Sequence, residues 1–396
     1  MRIAFAIERL DPSRGGRERS TLEIARTLQR QGNEITILCQ DNAVKDSSMK
    51  VERLGPVSGS RVQRLRGFIV DVQKLIRAKK FEIVHAMLPV PQADVYQIRS
   101  GTLPELRAAA LRRRGLLSRG GALLAWHLNS YRNYLMGLEQ QVMRDRSVLC
   151  LPVSQAVAVE VARYYDRIKG VNVVYNGVAC VRPSDWQATR QNRRRRLGLN
   201  DDDLMMLLPA NDFRRKGVRE TLVAFARWLK VQRGRSSAKL VVIGRESTSE
   251  YQRLATRLGC ADATVFAEFD EDIAGWFCAA DACLLLSWYD PCSRVILESI
   301  RFGVPSVTTL MNGASEILRD GAGIVVSSPD SSAEVLSAFN HLSDTKTRAE
   351  MSESCLRIQG RLSIESHVAQ LRRIYDRIVR DRESSGKGLG GTRHAA

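Results

Sequence analysis

The sequence predicts an α/β protein of two Rossmann-like, doubly wound domains, and three observations carry that prediction. A chain of 396 residues with 44% apolar side chains exceeds the usual size of one hydrophobic core and suffices for two. Short apolar, β-branched runs alternate with amphipathic stretches almost from the first residue, as parallel strands joined by helices do. The alternation lapses between Ala179 and Asp203, where the chain turns polar and carries the run Arg193–Arg196, and then resumes. The expected domains are therefore 1–180 and 204–365, with a linker at 181–203. A closing helix at 366–382 is expected to return to the first lobe, and 383–396, rich in glycine and serine, to be a disordered tail.

In the first half, Ile3–Ile7 reads as a strand, and Ser20–Gln31 as a helix with Leu22, Ile24, Ala25 and Leu28 inward, ended by Gly32. Glu34–Leu38, Glu82–Ala86, Val148–Val153 and Val171–Tyr175 read as further strands. In the second half the strands are Leu204–Leu208, Leu240–Ile243, Thr264–Phe266, Ala282–Leu286, Ser306–Thr309 and Ile324–Val326. Arg219–Leu229 and Arg294–Phe302 are helices among them. Two open parallel sheets place ligands at the carboxyl ends of their strands, so a cleft between the lobes is expected and functional residues should follow strands.

Bulk properties narrow the function. Eight cysteines and five histidines form no CxxC pair and no metal-like cluster, so the thiols read as buried groups of a reducing compartment. The apolar stretch Ile3–Ile7 is too short for a signal peptide, and no run approaches the roughly 20 residues that span a bilayer. A cytosolic protein is expected. The net charge of +18 draws polyanions: nucleic acid, anionic lipid headgroups or phosphorylated glycans. No recognisable nucleic-acid module is present and the arginines are spread over both lobes, which argues against nucleic acid.

Three segments after strands carry chemistry. Asp11-Pro-Ser-Arg-Gly15-Gly16 opens a helix, and its glycine pair lets backbone N–H groups approach an anion, although such doublets are also plain turns. Asn211-Asp-Phe-Arg214-Arg215-Lys216-Gly217 sets three cations before a helix, against its dipole, which makes sense if an anion shares the site; a solvated basic turn is the alternative. For a pyrophosphate leaving group, arginine offers a bidentate fork and lysine a point charge. The segment Tyr289-Asp290-Pro-Cys292-Ser293-Arg294-Val-Ile-Leu-Glu298 places one carboxylate in a loop and another inside the following helix. A carboxylate accepts two hydrogen bonds from a vicinal diol, and the N–H groups of Cys292, Ser293 and Arg294 can meet sugar hydroxyls or phosphate oxygens. Singly, Asp290-Pro291 is an ordinary turn and Glu298 an ordinary helix residue.

Together, the carboxylate pair seven residues apart, the Arg-Lys-Gly turn, the Gly-Gly loop and the order of strands resemble glycosyltransferase family four, retaining enzymes of the GT-B fold. The likeness extends to the lipopolysaccharide core glucosyltransferase group through Gly15-Gly16, Asp94-Val95-Tyr96, Asn211–Val218 and Val304–Thr309. It runs from about Ile3 to about Val379.

The resemblance implies that Arg215 and Lys216 hold the donor diphosphate, Glu298 the ribose, and Asp290 the transferred sugar. Cys292, Ser293 and Arg294 would line the donor, Gly15 and Gly16 would complete it from the other lobe, and Asp94 would serve the acceptor. It further implies metal-independent transfer of a hexose, glucose, from a UDP-sugar to a cell-envelope glycolipid such as lipopolysaccharide core. Exopolysaccharide transfer, an epimerase and a phosphorylase are alternatives of the same architecture. The family usually has Glu where Asp290 stands, and the lost methylene shortens its reach.

Asp201-Asp202-Asp203 reads as a solvated loop, because it precedes a strand. From Glu105 to Arg146, eight arginines against three acids give +5. Interleaved with Leu106, Leu111, Leu116, Leu117, Leu123, Leu124 and Trp126, they suit an anionic bilayer surface on the inner face of the cytoplasmic membrane, as short helical pieces interrupted by Gly115, Gly120 and Gly121. A half-buried flap is the alternative.

Overall fold

The computed structural model describes residues 1–13, 15–46, 48–112, 116–232, 237–269 and 272–388. The chain divides into two compact units: Met1–Gly177 joined by the segment from Ile364 onward, and Val178–Ser363.

The first unit contains strands β1 (Arg2–Ala6), β2 (Arg9–Leu10), β3 (Glu34–Cys39), β4 (Asp41–Asn42), β5 (Lys50–Arg53), β6 (Ile83–Ala86), β7 (Val95–Ile98) and β8 (Leu149–Pro152). Its helices are α1 (Gly16–Arg30), α2 (Arg61–Arg77), α3 (Leu103–Arg112), α4 (Leu116–His127), α5 (Ser130–Arg144) and α6 (Gln155–Tyr165). Six strands form one parallel sheet in the order β5-β3-β1-β6-β7-β8, with β1 at the point where the winding reverses. Beyond its carboxyl edge, β2 and β4 pair as a two-residue ladder.

Both faces of this sheet are covered. Ile3, Phe5 and Ile7 meet Leu22, Ala25 and Leu28 of α1 on one side, whereas Ala4 and Ala6 meet Leu65, Phe68 and Val72 of α2 on the other. Period-two alternation along a strand sends successive residues to opposite faces, and each finds an apolar helix stripe there.

The second unit carries α7 (Trp186–Arg196), β9 (Leu204–Pro209), α8 (Val218–Gln232), β10 (Ala238–Gly244), α9 (Ser249–Leu258), β11 (Thr264–Glu268), α10 (Ile273–Ala279) and β12 (Ala282–Leu285). It continues with α11 (Arg294–Arg301), β13 (Ser306–Thr309), α12 (Ser315–Leu318), β14 (Gly323–Val326), α13 (Ser332–Ser343) and α14 (Thr345–Ile358). Its parallel sheet runs β11-β10-β9-β12-β13-β14, and β9, buried along its whole length, occupies the reversal point. Two doubly wound parallel sheets of this kind constitute the GT-B architecture.

After α14, the long helix α15 (Ile364–Gly388) returns to the first unit, where Ile364, Val368, Leu371 and Tyr375 enter the same core as α1. Their spacing is one helical stripe.

Four differences from the sequence reading have physical causes. The stretch expected as a linker at 181–203 belongs to the second unit and holds α7. There Arg190 donates to the carbonyl of Ala279 at 2.9 Å and pairs with Asp281 at 2.6 Å, while Arg193 lies over the Trp276 ring at 4.3 Å. Arginines that look solvated in sequence instead tie α7 to α10.

The Asp201–Asp203 loop is likewise not fully solvated. Buried Arg194 gathers the carbonyls of Asn200, Asp201 and Asp203, and the Asp203 carboxylate accepts from the Asn200 N–H at 2.6 Å.

Val171–Tyr175 forms no strand of its own; Val171 makes an isolated bridge to Cys150 along the edge of β8. Finally, helix α15 continues through residues 383–388, expected as tail; residues 389–396 lie outside the described residues.

Candidate active site

The site of the second unit is assembled where β9 and β12 end. After β9, the N–H of Arg215 donates to Asp212 Oδ1 at 2.8 Å and the N–H of Lys216 to the carbonyl of Asp212 at 2.9 Å. Phe213 is buried, with its N–H on Glu246 at 2.9 Å and its ring edge-on to Tyr251.

Gly217 closes the turn at φ 71°, and a Cβ there would stand 2.0 Å from the Leu286 carbonyl oxygen. Only glycine tolerates both the left-handed backbone and that approach. The loop is thereby pressed onto the end of β12, and the Trp288 N–H donates to the Arg215 carbonyl at 2.9 Å.

This contact delivers Lys216 to Asp290, whose Oδ2 accepts from the lysine Nζ. Both side chains are about nine-tenths buried. The other carboxylate oxygen accepts from the Cys292 N–H at 3.2 Å. Asp290 is also tied through its backbone, N–H to the Met311 carbonyl at 2.9 Å and carbonyl to the Gly313 N–H at 2.8 Å.

Asn312 completes the frame. Its Oδ1 accepts from the N–H groups of Ser293 at 3.2 Å and Ala314 at 3.0 Å, while its amide donates to Thr308 Oγ1 at 3.0 Å. Thr308 and Thr309 in turn donate to the carbonyls of Leu285 and Ser287. One turn into α11, Arg294 pairs with Glu298 at 3.3 Å, both nearly buried. Between these groups the hydroxyls of Ser287 and Ser293 are buried without a hydrogen-bond partner among the described residues. Buried hydroxyls without a partner are uncommon in a folded chain. Beneath it, burial pushes the Cys283 thiol up to about 12, so it is a packing group and not a nucleophile.

The structure thus gathers Arg215, Lys216, Asp290, Cys292, Ser293, Arg294 and Glu298 at one sheet edge. It revises the expected donors, because the N–H groups of Cys292 and Ser293 are already taken by Asp290 and Asn312. The first unit holds the remaining residues. Gly15 has an extended φ of 178° and caps α1 with no side-chain hydrogen bond, and Gly16 is the first residue of that helix.

Asp94 does not lie on the ligand edge. It precedes β7, at the amino ends of the strands, where Oδ2 accepts from the Val84 N–H at 2.6 Å and Oδ1 pairs with Arg382 of α15. Its carboxylate anchors the last helix, which corrects the acceptor assignment. Sequence reasoning missed Asn312, whose only cue is an Asn-Gly turn directly after a strand.

Comparison with known proteins resolves the family. A sequence model described as glycosyl transferases group 1 matches residues 189–355, and one described as glycosyltransferase family 4 matches residues 14–182. The chain belongs to glycosyltransferase family four. It is accordingly a retaining glycosyltransferase.

Among curated family-four relatives, the lipopolysaccharide glucosyltransferase WaaG of Escherichia coli K12 is 22% identical over 340 residues, covering 85% of this chain and 87% of its own. A D-inositol 3-phosphate glycosyltransferase of Acidothermus cellulolyticus is 33% identical over 198 residues, 47% of this chain and 42% of its own. The uncharacterized glycosyltransferase MJ1607 of Methanocaldococcus jannaschii is 27% identical, and the match spans 48% of its length and 46% of this chain.

Among solved structures, WaaG superposes with a TM-score of 0.77 at 20% identity over 94% of this chain and 99% of its own. The Anabaena protein HepE in complex with UDP-glucose gives 0.71 at 18% identity, over 95% and 99%. At these identities the superpositions establish the shared fold.

Proposed function

We propose that this family-four enzyme transfers a hexose, glucose, from UDP-glucose to a cell-envelope glycolipid of the lipopolysaccharide-core kind, with retention at the anomeric carbon. The observation that carries the donor half is the pair of buried ion pairs, Lys216 with Asp290 and Arg294 with Glu298, framing two unmet serine hydroxyls. A long-coverage relative named as a lipopolysaccharide glucosyltransferase and a similar fold with UDP-glucose bound support donor and acceptor class.

In this reading Glu298 accepts the ribose diol, and Arg215 and Lys216 face the diphosphate. As the glycosidic C–O bond breaks, negative charge grows on the departing phosphate oxygen, and Lys216, already desolvated, meets it with little reorganisation. Asp290 sets the lysine and, being one methylene shorter than glutamate, acts on the sugar through that cation. We place the enzyme in the cytoplasm, peripheral to the inner membrane face, through α3 and α4.

A ligand-shift panel of nucleotide sugars tests the proposal, followed by linkage analysis of the product formed with the best donor. UDP-glucose is expected to give the largest shift. Preference for a purine nucleotide sugar, or nucleotide release independent of every glycolipid acceptor supplied, overturns it.

A further inference from the structure

We infer that Arg294 is a positioning residue for the donor ribose: it fixes the Glu298 carboxylate and so sets a preference for a ribonucleotide over a 2′-deoxyribonucleotide. This rests on the ribose role proposed above for Glu298 and adds the group that holds that carboxylate in place.

The pair stands where the helix itself gives it no support. Arg294 is the first residue of α11, directly after the N-cap Ser293, and no acidic side chain occupies that first turn. The amino end of a helix carries partial positive charge, which disfavours a cation there; the helix's other arginine, Arg301, stands in the last turn, where the dipole favours it. The order of the two charges is also the weaker one, because an i, i+4 pair supports a helix better with the acid on the N-terminal side. Both side chains are withdrawn from water, at 10% and 8% exposure, and their attraction offsets that desolvation only when the geometry is good. A pair selected to stabilise the helix would have the opposite order and an exposed setting.

The reach of the arginine assigns its role. Helical side chains lean toward the N-terminus, which would carry a guanidinium at this position beyond the helix start. Arg294 instead turns back along α11, and its Nη2 donates to Glu298 Oε1 at 3.3 Å. The N–H groups at the helix start are braced by other side chains, that of Cys292 by Asp290 and that of Ser293 by Asn312. The guanidinium therefore serves the carboxylate one turn into the helix. Glutamate is among the side chains with most rotamer freedom to lose, and a partner that restricts it beforehand removes an ordering cost from nucleotide binding. A fixed carboxylate also discriminates more sharply, since a site built to accept from a hydroxyl rejects the analogue that lacks it.

Calorimetry on the full-length protein with UDP, 2′-deoxy-UDP and uridine tests this. The wild type is expected to bind UDP about tenfold or more tighter than 2′-deoxy-UDP, the worth of one hydrogen bond to a charged group. Arg294→Met keeps an unbranched side chain of similar helix propensity. It is expected to weaken UDP and uridine alike and to bring the UDP to 2′-deoxy-UDP ratio toward parity. Arg294→Lys retains the charge without the planar fork, which guards against a methionine variant that does not fold, and should give an intermediate ratio. In a Glu298→Gln background, Arg294→Met is expected to add little, because the two residues act as one unit.

An unchanged ratio in whichever variant folds overturns the inference. So does a loss seen with UDP and absent with uridine, which would put the guanidinium on the diphosphate. Collapse of the ratio in Glu298→Gln but not in Arg294→Met leaves the ribose reading standing and removes Arg294 from it. A wild type that takes no UDP removes the donor reading itself, and the inference with it.

Discussion

Lys216 Nζ donates to a carboxylate oxygen of Asp290, and the two residues come from loops 74 positions apart in the chain. The pair has been drawn from water almost completely, so each charge depends on the other. When a diphosphate arrives, Lys216 can turn toward it without first shedding a hydration shell, and its effect should appear chiefly in the transition state. Lys216→Ala is expected to lower kcat by about 100-fold or more, the scale of losing one preorganised donor, with UDP affinity changed far less. Arg215, about one-third exposed and paired with Asp212 at 3.2 Å, is more screened, so Arg215→Ala should cost less. Steady-state kinetics beside UDP calorimetry check both. Wild-type turnover in both variants would exclude a leaving-group role.

Glu298 lies in α11 with its carboxylate on Arg294, one turn back. Glu298→Gln keeps the side-chain shape and the helix while removing the charge that strengthens a diol contact. UDP and uridine should both bind about tenfold more weakly, the worth of one hydrogen bond to a charged group. Uridine is the decisive ligand. A loss seen with UDP but absent with uridine would move Glu298 from the ribose to the phosphates.

How far the sequence reveals these positions depends on what each residue acts through. Arg215, Lys216, Asp290 and Glu298 follow strands read from uninterrupted apolar runs, Leu204–Leu208 and Ala282–Leu286, so strand-end logic alone locates them. Asp94 fails for the complementary reason. It introduces β7, Val95–Ile98, where buried Gln97 breaks the apolar run and accepts from Arg99 at 3.0 Å. Without that strand, sequence cannot distinguish the amino edge of the sheet from the ligand edge. Asn312 is invisible for a third reason, since two of its partners are backbone N–H groups, one of them that of Ser293 in a loop 19 residues away. The α7 arginines mislead because several of their acceptors are main-chain carbonyls, which leave no trace in residue type, and the rest are distant aspartates.

Asn312 therefore offers a stability prediction. Replacing it by alanine strands the Ser293 and Ala314 N–H groups in a fully buried place and removes the donor to Thr308 Oγ1, whose hydroxyl still meets the Leu285 carbonyl. Each unmet buried donor costs about 1–3 kcal/mol, so the second unit should lose on the order of 2–4 kcal/mol. Urea unfolding measures it. Asn312→Asp retains the two acceptor contacts and should recover part of the loss; equal midpoints for wild type and alanine would show that the brace is not structural.

A pH effect is expected in the first unit. His85 is fully buried between Phe5 and Tyr375, with Nδ1 2.5 Å from the Tyr375 hydroxyl. Burial, then the positive charge of Arg99 and the neighbouring His367, drives its pKa well below the ordinary 6.5. A histidine held neutral in the fold binds fewer protons than in the unfolded chain, so its contribution is complete above about pH 6.5 and declines as pH falls toward the depressed value. Thermal melts of the wild type should show Tm decreasing from pH 7 to pH 5. His85→Gln, unable to titrate, should flatten that slope even if its Tm at pH 7 is lower. An unchanged slope would assign the acid sensitivity to other groups.

The last prediction concerns the proposed membrane contact. Buried carboxylates pin the base of the helical excursion. Glu139 accepts from the Leu103 N–H at 2.9 Å and the Tyr165 hydroxyl at 2.5 Å, and Glu160 accepts from the Thr102 N–H at 2.9 Å. Beyond that base, α4 runs unbroken through Gly120 and Gly121, so these glycines do not divide it as the sequence suggests. Its apolar residues face outward unevenly. Leu124 and, one residue past the end of the helix, Leu128 are 61% and 75% exposed, whereas Trp126 is only 9% exposed beneath the Arg132 guanidinium. In the proposed contact the leucines, not the tryptophan, would insert, and Arg107 would supply charge, since Arg112 is paired with Glu105; Arg113 and Arg114 lie outside the described residues. No described helix is long and apolar enough to cross a membrane. Co-sedimentation is expected with vesicles containing phosphatidylglycerol and to weaken as salt shortens the ~8 Å Debye length of physiological buffer. Leu124→Glu with Leu128→Glu should abolish it, because each change replaces apolar insertion with charge facing an anionic surface. Equal retention of that double variant, or equal binding to neutral vesicles, would return α4 to the status of a surface flap.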